Sequence, residues 1–430
     1  MDSLENTRED SRAEHTEEHW IKGLRKTVAR VLPIPHYQEN YRAIGITQAE
    51  DIKSLKDFQR LPLTTKEDLR KNYPFGLFAE SMEDIVRLHA SSGTTGKPTV
   101  VGYTNQDISL WAKMVANELR RVGVTKKDVV QIAYGYGLFT GGMGLHYGCE
   151  ELGAIVVPIS GGNTARQLML MRDFGTTVLA CTPSYALYLA ESLEESGISR
   201  DELKLKIGVF GAEPWTEGMR EQIEARLGIK AYDIYGLSEI MGPGVAMECP
   251  EQQGLHIDEH FYPEILDDEG NPLPAGERGE LVVTSLEKQG FPVLRYRTKD
   301  LTTLHYGKCS CGHVGWTMER VSARVDDMLI IRGVNVFPSQ VEEAILSLGG
   351  FEPHYLLVVY REGKLDQLEV QVEVNEESFS DEIRELEGRQ QLLQRKIEQV
   401  LGISVRLRLV EPKSIPRSEG KAIRVIDKRN

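Results

Sequence analysis

Between residue 85 and about residue 240 short β-rich runs alternate with helical stretches, and this alternation limits the possible folds more than any other feature of the chain. The runs lie at 129–134, 154–159, 178–181 and 206–210, and the helical stretches at 106–122, 164–174, 184–196 and 216–227. Strand and helix alternating at this spacing predict βαβ crossovers and a largely parallel sheet. The first 85 residues read as helical, interrupted by Pro33, Pro35, Pro62 and Pro74. From about 255 to 320 the texture becomes β, and the turn-rich DDEGNPLPAGERG (267–279) ahead of GELVVT (279–284) reads as a hairpin region. The tail from about 327 reads as a small α+β unit. It has a helix starting near Pro338, strands at 355–360 and 368–374, a long charged helix at 380–401 and a strand at 404–410.

Size and charge narrow the function classes. At 430 residues the chain has room for two or three units with substantial cores. Its 51 Lys and Arg against 65 Asp and Glu give a net charge of −14, which argues against a nucleic-acid coat. No apolar run approaches the roughly 18 residues needed to cross a bilayer, so no membrane partner is expected. The opening MDSLENTREDSRAEHTEEHW has no basic n-region or apolar h-region, unlike a signal peptide. Five cysteines, an odd number, do not make a disulfide framework, and a reducing cytoplasm is the expected location.

The most informative segment is SSGTTGK at 91–97, followed by PTVVGYT. Gly93 and Gly96 allow backbone N–H groups to turn inward, while Ser91, Ser92, Thr94, Thr95 and Lys97 add donors and charge. That is phosphate-cradling chemistry, with a flexible turn as the bland alternative. It is not a Walker A loop, because only two residues separate the glycines and Pro98 follows Lys97.

Four further segments follow in order: YGLSE (235–239), YRTKD (296–300), SARVDDMLIIRGVNVFPSQVEE (322–343) and PRSEGKAIRV (416–425). Together with the 91–97 loop they resemble the phosphate loop, Tyr-Gly-x-Thr/Ser-Glu segment, Tyr-Arg-Thr-x-Asp segment, hinge and C-terminal lysine loop of the adenylate-forming superfamily. The set is specific because all five occur together and in order. Within that superfamily, GAEPW (211–215), VNVFPSQVE and the short N-terminus resemble the phenylacetate–CoA ligase family.

The resemblance implies a large N-terminal α/β domain with a β-subdomain over 1–325 and a small mobile α+β lid over 326–430, hinged at Asp326. It also implies ATP-dependent, AMP-forming ligation of an aromatic acid to coenzyme A. Glu239 would hold Mg²⁺, a hard cation suited to a carboxylate. Asp300 and Arg324 would reach the ribose. Ala212, Glu213, Asp233, Ile234 and Tyr235, with Gly236 and Ser238, would line the nucleotide slot. Lys421 would bridge the substrate carboxylate and the α-phosphate, and rotation at Asp326 would exchange it for the Arg332–Gly333 turn at the CoA. For each acid, a solvated surface charge is the default reading without the motif. Other readings are an adenylating enzyme that loads a carrier protein, and a silent homologue that only binds acyl-adenylate or CoA. A homodimer is compatible with the sequence.

Two features are read from the residues themselves. The stretch 133–148 has six glycines beside Tyr136, Phe139 and Tyr147, which suits a flat apolar substrate or, equally, tight core packing. Tyr136, Phe139, Gly141 and Gly211 are the candidate acyl contacts. Cys249, His256, Cys309 and Cys311 could complete a Cys₃His zinc tetrahedron, with His313 as a spare ligand and free loop thiols as the alternative. Such a zinc would staple loops and take no part in the reaction. Cys149 and Cys181 lie in apolar runs and read as inert core thiols.

Overall fold

The computed structural model describes residues 2–91, 98–348, 350–362, 365–375 and 383–429. The chain divides into two compact units, each built from several stretches.

The first unit comprises residues 1–127, 135–155 and 234–319. It begins with the helix Asp2–Val31 and the short helices Pro35–Arg42, Leu55–Gln59 and Lys66–Lys71. Ser54 and Thr65 cap the last two, each exchanging hydrogen bonds with the aspartate three residues on. Strands Arg87–Ser91 and Thr99–Tyr103 pair antiparallel, with Ser91 opposite Thr99, so the glycine-rich loop joins the two arms of a hairpin. Thr104 and Asp107 then form a capping box for the helix Asn105–Arg121. That helix packs against Gly141–Leu152, where a Cβ on Gly144 would fall 2.4 Å from Trp111 and one on Gly148 would fall 2.3 Å from Val115. The spacing of these glycines lets the two helices touch.

The β region of this unit is antiparallel, in the order Phe261–Leu266, Arg278–Ser285, Tyr296–Lys308, Val314–Met318, Leu255–Ile257, Ala246–Glu248. The 267–279 segment joins the first two strands, as the turn residues predict. Arg295 is buried against Glu264 in a two-pronged ion pair (3.0 and 3.1 Å) and also donates to Leu61 O, which ties the N-terminal segment to the sheet just before YRTKD.

The second unit comprises residues 128–134, 156–233 and 320–430. Its strands Val129–Ile132, Val178–Cys181 and Ile207–Gly211 are parallel neighbours. The last two are buried at every position, as expected for a sheet covered by helices on both faces. The helices are Thr164–Asp173, Pro183–Ser196 and Glu217–Leu227, the last two capped by Thr182 and Thr216. Predicted and observed boundaries of these strands and helices differ by at most two residues, and those of Val178–Cys181 coincide. Cys149 in the first unit and Cys181 here are fully buried. Burial pushes the Cys149 thiol up to about 12 and raises that of Cys181 as well, in keeping with core roles.

The C-terminal part of this unit starts with the hairpin Leu329–Ile331/Val334–Val336. Its two turn residues, Arg332 and Gly333, both have positive φ (51° and 81°), the geometry of a two-residue I′ turn. After the helix Pro338–Leu346 comes a four-stranded sheet in the order Arg406–Val410, Leu365–Val374, Phe351–Glu362, Val425–Asp427. The helix Ile383–Leu401 covers it through Leu393, Ile397 and Leu401. Among the described residues no helix is long and apolar enough to cross a membrane.

Candidate active site

In the first unit, chemistry gathers around Glu239. This residue lies in the short turn Ser238–Ile240 and is only 3% exposed. Ser91, at the root of the glycine-rich hairpin, donates to its carboxylate at 3.1 Å, and Lys66 Nζ lies 3.9 Å from the same oxygen. Neighbouring Ser238 bonds Thr140 side chain to side chain at 3.0 Å, and its carbonyl accepts from the Tyr103 hydroxyl. Gly236 of the same segment is required sterically, because a Cβ there would lie 2.5 Å from Gly242 Cα. The motif glycine therefore lets two backbone segments cross. Ser92, Gly93, Thr94, Thr95, Gly96 and Lys97 lie outside the described residues.

Asp300 is buried on the strand Tyr296–Lys308. It lies within a bulge between the pairs Val282–Arg297 and Glu280–Leu301, with Arg297 and the Lys299 amide both bonded to the Glu280 carboxylate. The Tyr235 hydroxyl donates to Asp300 Oδ2 at 2.6 Å, a short charge-assisted bond that fixes the carboxylate.

Lys288, which the sequence reading did not single out, is fully buried beside this cluster. Its ammonium donates to Glu239 O at 3.4 Å and sits 4.5 Å above the Tyr103 ring. Burial pushes it down to about 8, against the opposing pull of the Asp107 and Glu239 carboxylates. Asp107 also accepts from the Gln289 and Gly290 amides, which holds the lysine's own loop in place.

Of the acyl candidates in this unit, Tyr136 is half-buried and its hydroxyl lies 3.3 Å from His146 Nδ1. Phe139 is 52% exposed, and Gly141 opens the helix Gly141–Leu152. Two of the glycines in this stretch, Gly144 and Gly148, are accounted for by helix packing.

The cysteine cluster also belongs to this unit. The ligand atoms of Cys249, His256, Cys309 and Cys311 all lie within 4.8 Å of one another. Cys249 Sγ is 3.8 Å from Cys309 Sγ, and Cys311 Sγ is 3.4 Å from His256 Nε2. Tetrahedral zinc with ordinary bond lengths needs about 3.8 Å between sulfurs and about 3.6 Å from sulfur to nitrogen. The other His256 nitrogen meets Thr317 Oγ1 at 3.1 Å, the outer-shell contact that orients a ligating imidazole. Burial, with His313 and Arg121 nearby, pushes His256 down to about 4, so the ring is neutral. His313 packs on the His256 ring with centroids 4.3 Å apart and is not a member of the cluster.

In the second unit the candidates surround a different set of contacts. Gly211 ends a parallel strand and is followed by Ala212 at φ +72°, a left-handed conformation that costs a non-glycine residue roughly 1–2 kcal/mol. The next residue, Glu213, accepts from Ser184 N (2.8 Å) and from Ala422 N (2.9 Å). Asp233 faces Arg320 at 3.9 Å, and the adjoining Ile234, assigned to the first unit, is buried. Lys421 is exposed and close enough to Asp327 to act on it. Burial raises that carboxyl, while Arg324 and Lys421 oppose the rise. Arg324 pairs with Asp326 at 3.1 Å, and Arg332 bonds Ser404 Oγ at 2.9 Å beside Gly333.

The AMP-binding enzyme family matches residues 22–286, and the AMP-binding enzyme C-terminal domain matches 333–429. A solved structure of 2-hydroxyisobutyryl-CoA ligase in the postadenylation state, in complex with R3-HIB-AMP, is similar at a TM-score of 0.89 and 28% identity. The match covers 95% of this chain and 89% of that one. The fold is that of an adenylate-forming enzyme. Phenylacetate–coenzyme A ligase of Escherichia coli is 54% identical over 404 residues, 92% of this chain and 91% of that protein. The enzyme of the same name from Thermus thermophilus is 49% identical over 423 residues, 94% of this chain and 95% of its own length. The chain belongs to the phenylacetate–CoA ligase family of AMP-binding enzymes and is an acid–thiol ligase.

Proposed function

We propose that the chain joins phenylacetate, or a closely related arylacetic acid, to coenzyme A through an acyl-adenylate, converting ATP to AMP and pyrophosphate. The observation that carries this reading is the near-full-length similarity to ligases of that name in a chain with acids at 239 and 300 and a lysine at 421. In the first half-reaction a substrate carboxylate oxygen attacks the α-phosphorus and pyrophosphate leaves. Catalysis is then mainly a matter of placing charge.

Glu239, oriented by Ser91, is the carboxylate suited to hold Mg²⁺ together with phosphate oxygens. The ion, when bound, neutralises triphosphate charge. The 91–97 segment would cradle the departing phosphates, with Lys97 adding charge. Asp300, fixed by Tyr235, would accept hydrogen bonds from the ribose hydroxyls, which Arg324 would also reach. Ala212, Asp233, Ile234, Gly236 and Ser238 would line the nucleotide slot, and Lys421 would bring its ammonium to the α-phosphate. Tyr136, Phe139, Gly141 and Gly211 would contact the aryl group. With Asp326 as hinge between a core (1–325) and a lid (326–430), rotation would replace Lys421 by the Arg332–Gly333 turn for CoA attack. Zinc on Cys249, His256, Cys309 and Cys311 fits the observed distances and would serve structure alone.

A panel of acids assayed for pyrophosphate release, with and without CoA, tests the reading. Phenylacetate should outperform octanoate, and CoA thioester should appear in step with AMP. Preference for octanoate, or adenylate that accumulates untouched by CoA, would overturn it.

A further inference from the structure

The Lys421 loop is held from both sides by residues of the parallel-sheet part of its own unit. Within the loop, Ser418 Oγ donates to Lys421 O (2.7 Å) and accepts from Gly420 N (3.2 Å), so the turn closes on itself. The peptide groups flanking the lysine are then taken up externally. Thr182 Oγ1 donates to Gly420 O at 2.9 Å, and Ala422 N donates to Glu213 Oε2 at 2.9 Å. Lys421 is the only residue between the two contacts.

Both partners are themselves fixed. Thr182 caps the helix Pro183–Ser196, and its hydroxyl accepts from Tyr185 N at 3.3 Å while giving its one proton to Gly420. Glu213 uses its other oxygen on Ser184 N, in the first turn of the same helix. One helix start thus supplies the frame for both contacts. Farther along the loop, Arg417 meets Glu191 of that helix (2.8 Å) and Glu373 of the four-stranded sheet (2.8 and 2.9 Å).

We propose that Thr182 and Glu213 are positioning residues that seat the Lys421 loop for adenylate formation and have no part in thioester formation. This rests on the two-step ligase reading above. An exposed lysine samples many rotamers, and fixing the backbone on both sides of it removes much of the freedom that would blur its charge at the α-phosphate. If the lid turns away for the second step, both contacts break, so their loss should be felt in the first step alone. Glu213, expected from sequence to line the nucleotide slot, acquires a different role: its carboxylate spends one oxygen on the helix and one on the lysine loop.

The test measures each half-reaction separately in full-length Thr182→Val, Thr182→Ser, Glu213→Gln and Lys421→Ala proteins. Adenylation is followed by ATP–pyrophosphate exchange with phenylacetate, and thioester formation is followed from supplied phenylacetyl-adenylate and CoA. Thr182→Val and Glu213→Gln should slow exchange about tenfold or more through kcat, as expected for losing a hydrogen bond that holds a charged group in place. KM for ATP and the thioester rate should stay near wild type, and Thr182→Ser should restore exchange. Backbone hydrogen exchange over residues 416–424 should speed up in Glu213→Gln. Equal losses in both half-reactions, or a raised KM for ATP with kcat intact, would overturn the proposal in favour of a structural or nucleotide-lining role. If Lys421→Ala loses adenylation while Thr182→Val and Glu213→Gln keep it, the seating idea alone fails. If Lys421→Ala keeps adenylation, the ligase reading on which it rests has failed.

Discussion

Replacing Gly148 by Ala separates two explanations of the glycine-rich stretch. The new Cβ would lie 2.3 Å from Val115 Cγ1 and 2.5 Å from Val115 Cβ, whereas carbons in contact prefer about 3.5–4.0 Å. Val115 is fully buried, and its Cβ is fixed to the helix backbone, so no rotamer change clears the clash. The two helices must move apart by about 1 Å. Overpacking of this kind costs about 1–3 kcal/mol, and the clash with a branch carbon puts it at the upper end. The gain in helix propensity from Gly to Ala returns about 1 kcal/mol. A net loss of about 2 kcal/mol should lower the melting transition by about 4–8 °C for a unit of a couple of hundred residues. Gly388 gives the opposite control, since it is exposed in the helix Ile383–Leu401 with nothing within 4 Å of an added Cβ. Gly388→Ala should be neutral or stabilise by up to about 1 kcal/mol. Scanning calorimetry reads both variants, and steady-state kinetics reads the acid KM. A Gly148→Ala protein with wild-type melting and an altered acid KM would refute the packing argument and return this glycine to the substrate pocket.

Removing the Tyr235 hydroxyl with Tyr235→Phe frees Asp300 Oδ2 from its 2.6 Å partner and should raise KM for ATP roughly tenfold; an unchanged KM would mean that Asp300 needs no such support. Zinc should be found at about one per chain, and elemental analysis showing none in protein never exposed to chelator would remove it. Stripping the metal should also shift emission from Trp316, which packs edge-on against Tyr306 on the same cysteine-bearing hairpin. Glu191 provides a pH signature. Burial by itself would raise its pKa, but His354 and Arg417 hold it down to about 2 against an ordinary 4.5. Its stabilising effect is therefore complete well above pH 4.5 and lost as pH falls towards 2, and is worth on the order of 3 kcal/mol at neutral pH. Glu191→Gln should melt lower than wild type at pH 7, with the gap closing as pH drops below about 4.5. A gap independent of pH would show that the carboxylate charge is not what matters.

Much of the architecture could be read from sequence because it depends on local signals. Threonines before apolar-periodic runs, at 104, 182 and 216, mark helix starts, and each one caps a helix in the structure. The buried parallel strands announce themselves as short apolar runs. Long-range pairing leaves no such trace. Nothing near Ser91 signals that it will meet Glu239, 148 residues away, and nothing in LEKQGF marks Lys288 as buried. Glu213 was assigned to a slot because of the motif around it, yet the contacts it makes in the structure are with Ser184 and Ala422. His256 is legible as the fourth cysteine-cluster ligand, but the Thr317 that orients its ring comes from an antiparallel pairing of two strands distant in sequence, which only the folded sheet provides.

The interleaving of the two units bears on how the chain emerges from the ribosome. The polypeptide passes from one unit to the other after Lys127, Tyr134, Ile155, Asp233 and Glu319. Neither unit is a contiguous stretch that could be completed first. The N-terminal helices and the Arg87–Tyr103 hairpin are made long before the antiparallel sheet at 246–318 that shares their unit. At about 5–20 residues per second, the gap between residues 127 and 234 alone lasts roughly 5–20 s. Over that interval Asn105–Arg121 has the Arg87–Tyr103 hairpin, through the stacked Tyr103 and Trp111 rings, and Gly141–Leu152 for cover, while the antiparallel sheet of the same unit is still to be made. The close glycine-mediated contact between these two helices therefore also acts as an early shelter for the nascent chain, and loosening it should reduce the yield of folded protein during synthesis more than it lowers the stability of the finished enzyme.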